Sequence, residues 1–179
     1  LVNNLKDNVS LTRIINEPKR GIGDTSVDRV RDRAETLGVS IFEYISEPGN
    51  IAELRCSNAM INFAALIADL NAMKDSLTPS ELMKKVLELT GYEAELMKDK
   101  NTENESRLEN IYEFIGVAKE FEEEEAENSL ADFLDSIALV ADVDNYDEDL
   151  DSVVLMTLHS AKGLEFPVVF LPALEEGVF

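Results

Sequence analysis

Apolar residues recur at helical spacing through most of the first 140 positions, and capping residues bound several of these stretches. The run Thr78-Pro79-Ser80-Glu81 is a strong helix start, because proline suits the first helical position and the glutamate completes a capping box. Gly91 is placed to end that helix in the left-handed conformation. The same reasoning predicts helices over residues 5–15, 27–37, 41–47, 51–75, 108–118 and 130–137. The pattern therefore predicts a mainly α fold.

Smaller signals set the bounds of these helices. Residues 25–28, Thr-Ser-Val-Asp, predict a capping box, with Val27, Val30, Ala34 and Leu37 on one face and Gly38 as the stop. Residues 40–43 start a shorter helix, which Pro48-Gly49 is predicted to end. Ser129 is predicted to cap the last helix.

The character of the chain changes after Val140. An acidic loop over residues 141–152 leads into two apolar, β-rich runs at 153–157 and 168–171. Runs that are apolar on both faces suit a buried parallel sheet, and two such strands are not stable alone. We therefore expect a helical domain over residues 1–150 and part of an α/β domain over 151–179. Since Leu1 is not a methionine, we expect a piece of a longer protein.

Charge is distributed unevenly. The formal net charge is −21, and residues 103–151 hold 18 acidic residues against Arg107 and Lys119. Residues 1–40 are close to neutral, with seven basic and six acidic residues. Local fields guide a charged ligand at contact distance, so the total charge does not exclude nucleic acid. The acidic run at 122–125 is either a solvated helix end or a surface that repels DNA or recruits a basic partner.

The turn "PKRGIGDTS", residues 18–26, has the composition of an anion site. Two short helices joined by Gly-x-Gly match the helix-hairpin-helix pattern, and glycine allows a positive φ and close approach to the backbone. Exposed amides of the turn and of the next helix favour a phosphodiester, with Lys19 and Arg20 adding charge. The alternative is a tight turn with solvated cations. Arg29 and Arg33, four residues apart, either extend the basic surface or pair locally with Asp28 and Asp32.

The polar loop between the two apolar runs holds the only histidine, His159. Thr157, His159 and Ser160 would lie at the carboxyl end of a strand, where open α/β sheets bind ligands. Glu165, next to apolar residues, is placed to accept from a sugar hydroxyl. The alternatives are a structural role for the histidine and a solvent-facing Glu165.

Three segments of the chain resemble one family. The stretch "LMTLHSAKGLEFPVVFL", followed by "EEG", is similar to motif V of the UvrD/PcrA/Rep group of superfamily-one DNA helicases. The segment "RIINEPKRGIGDTS" resembles the opening of the accessory 2B domain of that group. The segment "SRLENIYEF" resembles a later part of the same domain, and of the PcrA branch in particular.

The resemblance implies a fragment of an ATP-dependent enzyme that moves 3′ to 5′ along single-stranded DNA and separates duplex. Residues 1–150 would form a helical 2B-type accessory domain with a helix-hairpin-helix element, and residues 151–179 part of a RecA-like motor domain. The resemblance assigns Thr157 and His159 to single-stranded DNA, and Gly163 and Glu165 to the nucleotide. It assigns contacts with duplex DNA to the turn, at Lys19, Arg20, Gly21, Ile22, Gly23 and Thr25.

The resemblance also implies ATP and Mg²⁺ as cofactors of the parent protein. The 179 residues contain neither a Walker A sequence nor the acidic Mg²⁺ motif, so we expect no catalytic residue, no metal site and no ATP hydrolysis from this chain alone. Expected partners are single- and double-stranded DNA and proteins of repair or transcription, in the cytoplasm and without a membrane. The alternatives are a simple DNA-binding module and a protein-interaction domain that docks a partner on its acidic surface.

Overall fold

The computed structural model describes residues 1–99, 101–124, 129–139, 153 and 166–171. The chain divides into two compact units, Leu1–Asp135 and Ser136–Phe179. The described helices are α1 (Asn8–Ile14), α2 (Asp24–Leu37), α3 (Ile41–Ser46), α4 (Pro48–Ile51), α5 (Ser57–Met73), α6 (Pro79–Thr90), α7 (Tyr92–Lys98), α8 (Thr102–Glu124) and α9 (Leu130–Leu139). The prediction of a mainly α fold is therefore confirmed.

Capping residues fix several helix ends as predicted. Ser40 and Glu43 form a complete capping box at the start of α3, and Thr78 and Glu81 form another at the start of α6. Gly38 and Gly91 end α2 and α6 in the left-handed conformation, with φ of 66° and 71°. These signals act over three or four residues, so the local sequence suffices to place them.

Several predicted bounds are wrong, including the start of α8, which lies at Thr102 rather than at residue 108. Helix α2 begins at Asp24 rather than in the predicted Thr-Ser box, because the extended backbone of Gly23 serves as the N-cap without a side-chain bond. Pro48 begins α4 instead of ending α3, since proline is favoured at the first helical position. The predicted helix over 51–75 is α5, which begins only at Ser57, and α7 was not predicted at all.

The main core is built by α1 to α5, with Leu82 of α6. Three of the four residues predicted for the buried face of α2 are buried: Val27, Val30 and Ala34. The fourth, Leu37, is exposed because the helix ends directly after it. The fully buried members of the core include Leu11, Ile15, Ile22, Ile41, Ile45, Ile51, Met60 and Leu70. Helices α1 and α2 are therefore anchored on both sides of the turn that joins them.

A second group of contacts joins α6, α7, α8 and α9. Phe133 of α9 is buried, and its ring centroid lies 5.8 Å from that of Phe114 and 5.4 Å from that of Phe121 on α8. Glu122 of α8 accepts two hydrogen bonds from Ser80, from the backbone N at 2.6 Å and from Oγ at 3.0 Å. Glu122 is half-buried, so the expectation of a solvated helix end does not hold at this residue.

The second apolar run of the sequence forms no strand where it is described. Residues 166–171 have no regular secondary structure, and Val168 and Phe170 are exposed. A strand is stable only beside another strand, and no neighbour for it lies in the described part of the chain. Of the first predicted strand, 153–157, only Val153 is among the described residues.

Candidate nucleic-acid interface

The turn between α1 and α2 is held from within by one carboxamide. Asn16 Oδ1 accepts from the backbone N of Arg20 at 2.8 Å and from the backbone N of Ile22 at 3.2 Å. Gly21 lies between these two residues with φ of 73°, a conformation that favours glycine. The path of the turn is therefore set by a side chain that precedes it and by a glycine at its tip.

Ile22 and its two flanking glycines face opposite ways. The Ile22 side chain is completely buried in the main core, whereas Gly21 and Gly23 are exposed. The space that a Cβ would fill at either glycine is empty to at least 4 Å. One buried side chain thus anchors the turn to the core, and the backbone on either side of it is exposed to solvent.

Four amides between residues 21 and 27 have no acceptor within the described ranges. The amides of Ser26 and Val27 donate to Gly23 O, at 2.9 and 3.2 Å. The amides without an acceptor are those of Gly21, Gly23, Asp24 and Thr25. Amides at a helix N-terminus carry partial positive charge and suit an anion. The carboxylate of Asp24 in the first turn acts against this, because it repels an anion there.

Arg20 is engaged by the fold. Its Nη1 donates to the carbonyls of Pro18 and Ile14, at 3.0 and 3.1 Å, and lies 3.4 Å from that of Ile15. Its Cζ lies 5.4 Å from the ring centroid of Phe63. Burial lowers the pKa of the guanidinium, and the charge of Glu17 acts in the opposite direction. The guanidinium thus caps the C-terminal end of α1 and links the turn to α5.

The other predicted residues of the turn face solvent. Lys19 and Thr25 are exposed, and neither side chain has a partner in the part of the chain that the structure describes. Among the six residues predicted for duplex contact, the structure therefore exposes Lys19, Gly21, Gly23 and Thr25 along one short segment. Arg20 and Ile22 point into the fold and support that segment.

The residues predicted for nucleotide and single-stranded DNA, Thr157, His159, Gly163 and Glu165, lie outside the described residues. Within the described ranges, no three His, Cys, Asp or Glu side chains are arranged to hold a metal ion. None of the helices described is long and apolar enough to cross a bilayer.

Sequence reasoning missed Asn16 and Phe63. An asparagine near a turn signals local hydrogen bonding, so Asn16 carried a usable signal. Phe63 lies on α5, far along the chain from Arg20, and an aromatic residue on a helix gives no sign that a distant guanidinium will pack on it.

Similarity to known proteins identifies the family of the chain. The sequence matches the family described as the UvrD-like helicase C-terminal domain over residues 1–179. Over its whole length it is 44% identical to the ATP-dependent DNA helicase PcrA of Bacillus subtilis (strain 168). It is 39% identical to that of Leuconostoc citreum and 41% identical to that of Staphylococcus aureus (strain Mu50 / ATCC 700699). The chain spans 25% of the length of each of these relatives.

Proposed function

Because the chain belongs to the UvrD-like helicase C-terminal domain family, we propose that it is part of a PcrA-type ATP-dependent DNA helicase and that its first turn binds duplex DNA. The observation that carries the duplex role is the exposed backbone at Gly21 and Gly23, above a turn locked by Asn16. Backbone amides bind phosphates without reading sequence, which suits an enzyme that must engage any duplex.

Each residue of the turn has a separate task in this proposal. The amides of Gly21, Gly23 and Thr25 donate to phosphate oxygens, and the Thr25 hydroxyl adds a further donor. Lys19 supplies an exposed charge that a phosphate can neutralise. Arg20 and Ile22 act indirectly. Arg20 fixes the end of α1, and Ile22 anchors the turn in the core.

The wider architecture follows from the family. Residues 1–150 are proposed as a 2B-type accessory domain, in which α1, the turn and α2 form a helix-hairpin-helix element. Residues 151–179 are proposed as a segment of a RecA-like motor domain. In it, Thr157 and His159 contact single-stranded DNA, and Gly163 and Glu165 face the nucleotide. ATP and Mg²⁺ are then cofactors of the whole protein. Motif V couples the nucleotide state to the affinity for single-stranded DNA.

The duplex role is tested by a salt titration of duplex affinity with the 179-residue chain. Binding through a few phosphates weakens log-linearly with salt, by a slope of about −0.9 for each phosphate contact. Lys19→Gln is expected to make the slope shallower by about 1, because one phosphate loses its cation. Lys84→Gln is the matched control, since Lys84 is an exposed lysine on α6, away from the turn.

Two results contradict the proposal. One is an equal change of the salt slope of duplex affinity in Lys19→Gln and Lys84→Gln, because the slope would then respond only to the total charge of the chain. The other is the absence of duplex binding even at about 50 mM salt, where phosphate contacts are strong. Binding of a basic protein by the same preparation would then favour a protein-interaction domain.

A further inference from the structure

A second cationic surface lies beside the proposed duplex site, on one flank of α2. Arg29 and Arg33 line a groove of about 190 Å³ together with Gly49, Asn50 and the carboxylate of Glu53. The opposite flank of α2, with Asp24, Asp28 and Arg31, lines a different groove against α1. The basic and the mixed-charge flanks of α2 are therefore separate surfaces.

Arg33 is one of several helical cations, with Arg13, Lys84 and Lys119, that form no ion pair within the described residues. Arg31, Lys85, Lys98 and Arg107 each pair with an acidic residue three or four positions away on their own helix. No ion pair of Arg33 occurs within the described ranges, and the positions one turn before and after it hold Arg29, Val30, Thr36 and Leu37. Two arginines four residues apart on a helix repel each other slightly, which an anion between them would relieve.

Arg29 is only loosely neutralised. Its Nη2 lies 3.5 Å from a carboxylate oxygen of Glu53, and the two side chains are 55% and 88% exposed. Such an exposed pair is weak and is easily replaced by another anion. The alternative of local pairing with Asp28 or Asp32 is not seen in the described residues, where Asp28 pairs with Arg31 at 2.8 Å.

The wall that faces the arginines is fixed. Tyr44 is buried and its hydroxyl donates to the carbonyl of Asn50 at 3.1 Å, while Asn50 Nδ2 donates to the carbonyl of Tyr44 at 3.0 Å. This reciprocal pair holds the side of the groove opposite α2. The groove therefore has one wall held by these two hydrogen bonds and one wall with two arginines, whose planar guanidinium groups match the oxygens of a phosphate. The carboxylate of Glu53 also lines the groove and acts against an anion there, and a phosphate would have to displace it from Arg29.

We propose that this groove binds a second phosphate of the same duplex whose backbone the turn at Gly21–Gly23 holds. Along the axis of α2, Arg29 and Arg33 are about 9 and about 15 Å from Gly23. Both lengths lie within the span of a few nucleotides of one duplex strand, whose rise is about 3.4 Å per nucleotide. The proposal rests on the proposed duplex role, and it adds Arg29 and Arg33 to the binding surface.

The test measures duplex affinity of the 179-residue chain between about 50 and 200 mM salt, with a fluorescein-labelled duplex as the probe. Arg29→Gln and Arg33→Gln are each expected to make the salt slope shallower by about 1 and to weaken low-salt binding about two- to fivefold. Arg33→Lys is expected to keep most of the slope, because it keeps the charge. Arg31→Gln is the matched control on the opposite flank, and circular dichroism confirms that each variant is folded.

The outcomes separate this inference from the duplex role. If Lys19→Gln lowers the slope and the Arg29 and Arg33 variants do not, the groove proposal is overturned and the duplex role stands. If none of the three has an effect, both fail. An equal effect of Arg31→Gln overturns the groove proposal, because the response is then to net charge. The groove proposal is also overturned if the Arg29 and Arg33 variants lose binding to inorganic tripolyphosphate but keep their duplex binding. The groove would then bind a free phosphate rather than the duplex.

Discussion

The guanidinium of Arg20 lies over the ring of Phe63, with its Cζ 5.4 Å from the ring centroid. The same group donates to carbonyls at the end of α1 and in the turn. Lys19, the preceding residue, is exposed and makes no such contact in the described part of the chain. Two adjacent cations therefore have different tasks, one in stability and one in the proposed binding of DNA.

Substitution of each cation separates the two tasks. Arg20→Lys is expected to lower the free energy of unfolding by about 1–2 kcal/mol, because a lysine cannot reach several carbonyls and stack on Phe63 at once. Lys19→Arg, the reciprocal change at an exposed site, is expected to leave it within about 0.5 kcal/mol of the wild type. Urea unfolding followed by circular dichroism measures both. Equal stability of the two variants would show that the contacts of Arg20 add nothing.

The carboxylate of Glu122 is expected to stabilise the start of α6. Glu122→Ala leaves the buried hydroxyl and the backbone N of Ser80 without this acceptor, and we expect a loss of about 2 kcal/mol in the free energy of unfolding. Glu123→Ala is the control, since Glu123 is exposed on the next position of α8, and its effect is expected to stay within about 0.5 kcal/mol. Thermal unfolding of both variants checks this, and indistinguishable midpoints would contradict it.

Acid is expected to weaken α3 through its capping box. The backbone N and the Oγ of Ser40 donate to Glu43, at 2.8 and 2.9 Å, and these bonds lower the pKa of Glu43 below its ordinary value of 4.5. A carboxyl whose pKa is lowered by folding stabilises the fold above its ordinary pKa and loses this effect as the pH falls. Glu43→Gln should therefore be less stable than the wild type at neutral pH, with a gap that narrows below about pH 4.5. A gap that stays constant from pH 7 to about pH 3 would refute the assignment.

The 179-residue chain is expected to release no phosphate from ATP, with or without single-stranded DNA. Phosphoryl transfer requires a phosphate cradle, and the sequence contains no Gly-x-x-x-x-Gly-Lys followed by Ser or Thr. A phosphate-release assay with Mg²⁺ present measures this. Glu165→Gln, purified in the same way, is the control for contaminating enzymes. A DNA-stimulated rate that the wild type shows and Glu165→Gln lacks would contradict the expectation.

Local signals in the sequence predicted local structure well. The helix starts at Ser40 and Thr78 and the stops at Gly38 and Gly91 depend on neighbours within a few residues, and the structure confirms them. The capping box predicted at residues 25–28 is wrong. Contacts between residues far apart in the sequence are of another kind. Arg20 meets Phe63 of α5, and Glu122 meets Ser80, which lies 42 positions earlier. No periodicity predicts such pairs, because they depend on how the helices pack.

The turn shows the same limit at closer range. Glycine predicted an exposed bend at residues 21 and 23, and the structure has both exposed. The hydrogen bonds of Asn16 span only four and six positions, so an asparagine near the turn was a usable signal for them. The sequence did not indicate that the Ile22 side chain enters the core, because this depends on how the turn lies over the core.

The central claim is that bare backbone at the start of α2 holds a phosphate, and Gly23→Val tests it most directly. Gly23 has φ of −82° and ψ of 155°, which valine adopts readily, and the space around it is empty, so the variant should fold. The branched side chain of the valine would cover the amides at the start of α2 and sterically exclude a phosphate from them. Gly116→Ala on α8 is the control for a glycine replaced elsewhere.

Duplex affinity of the two folded variants is the measurement. We expect Gly23→Val to weaken binding about tenfold, the loss of one charge-assisted hydrogen bond, while Gly116→Ala binds as the wild type does. Wild-type affinity and an unchanged salt slope in a folded Gly23→Val chain would contradict the account.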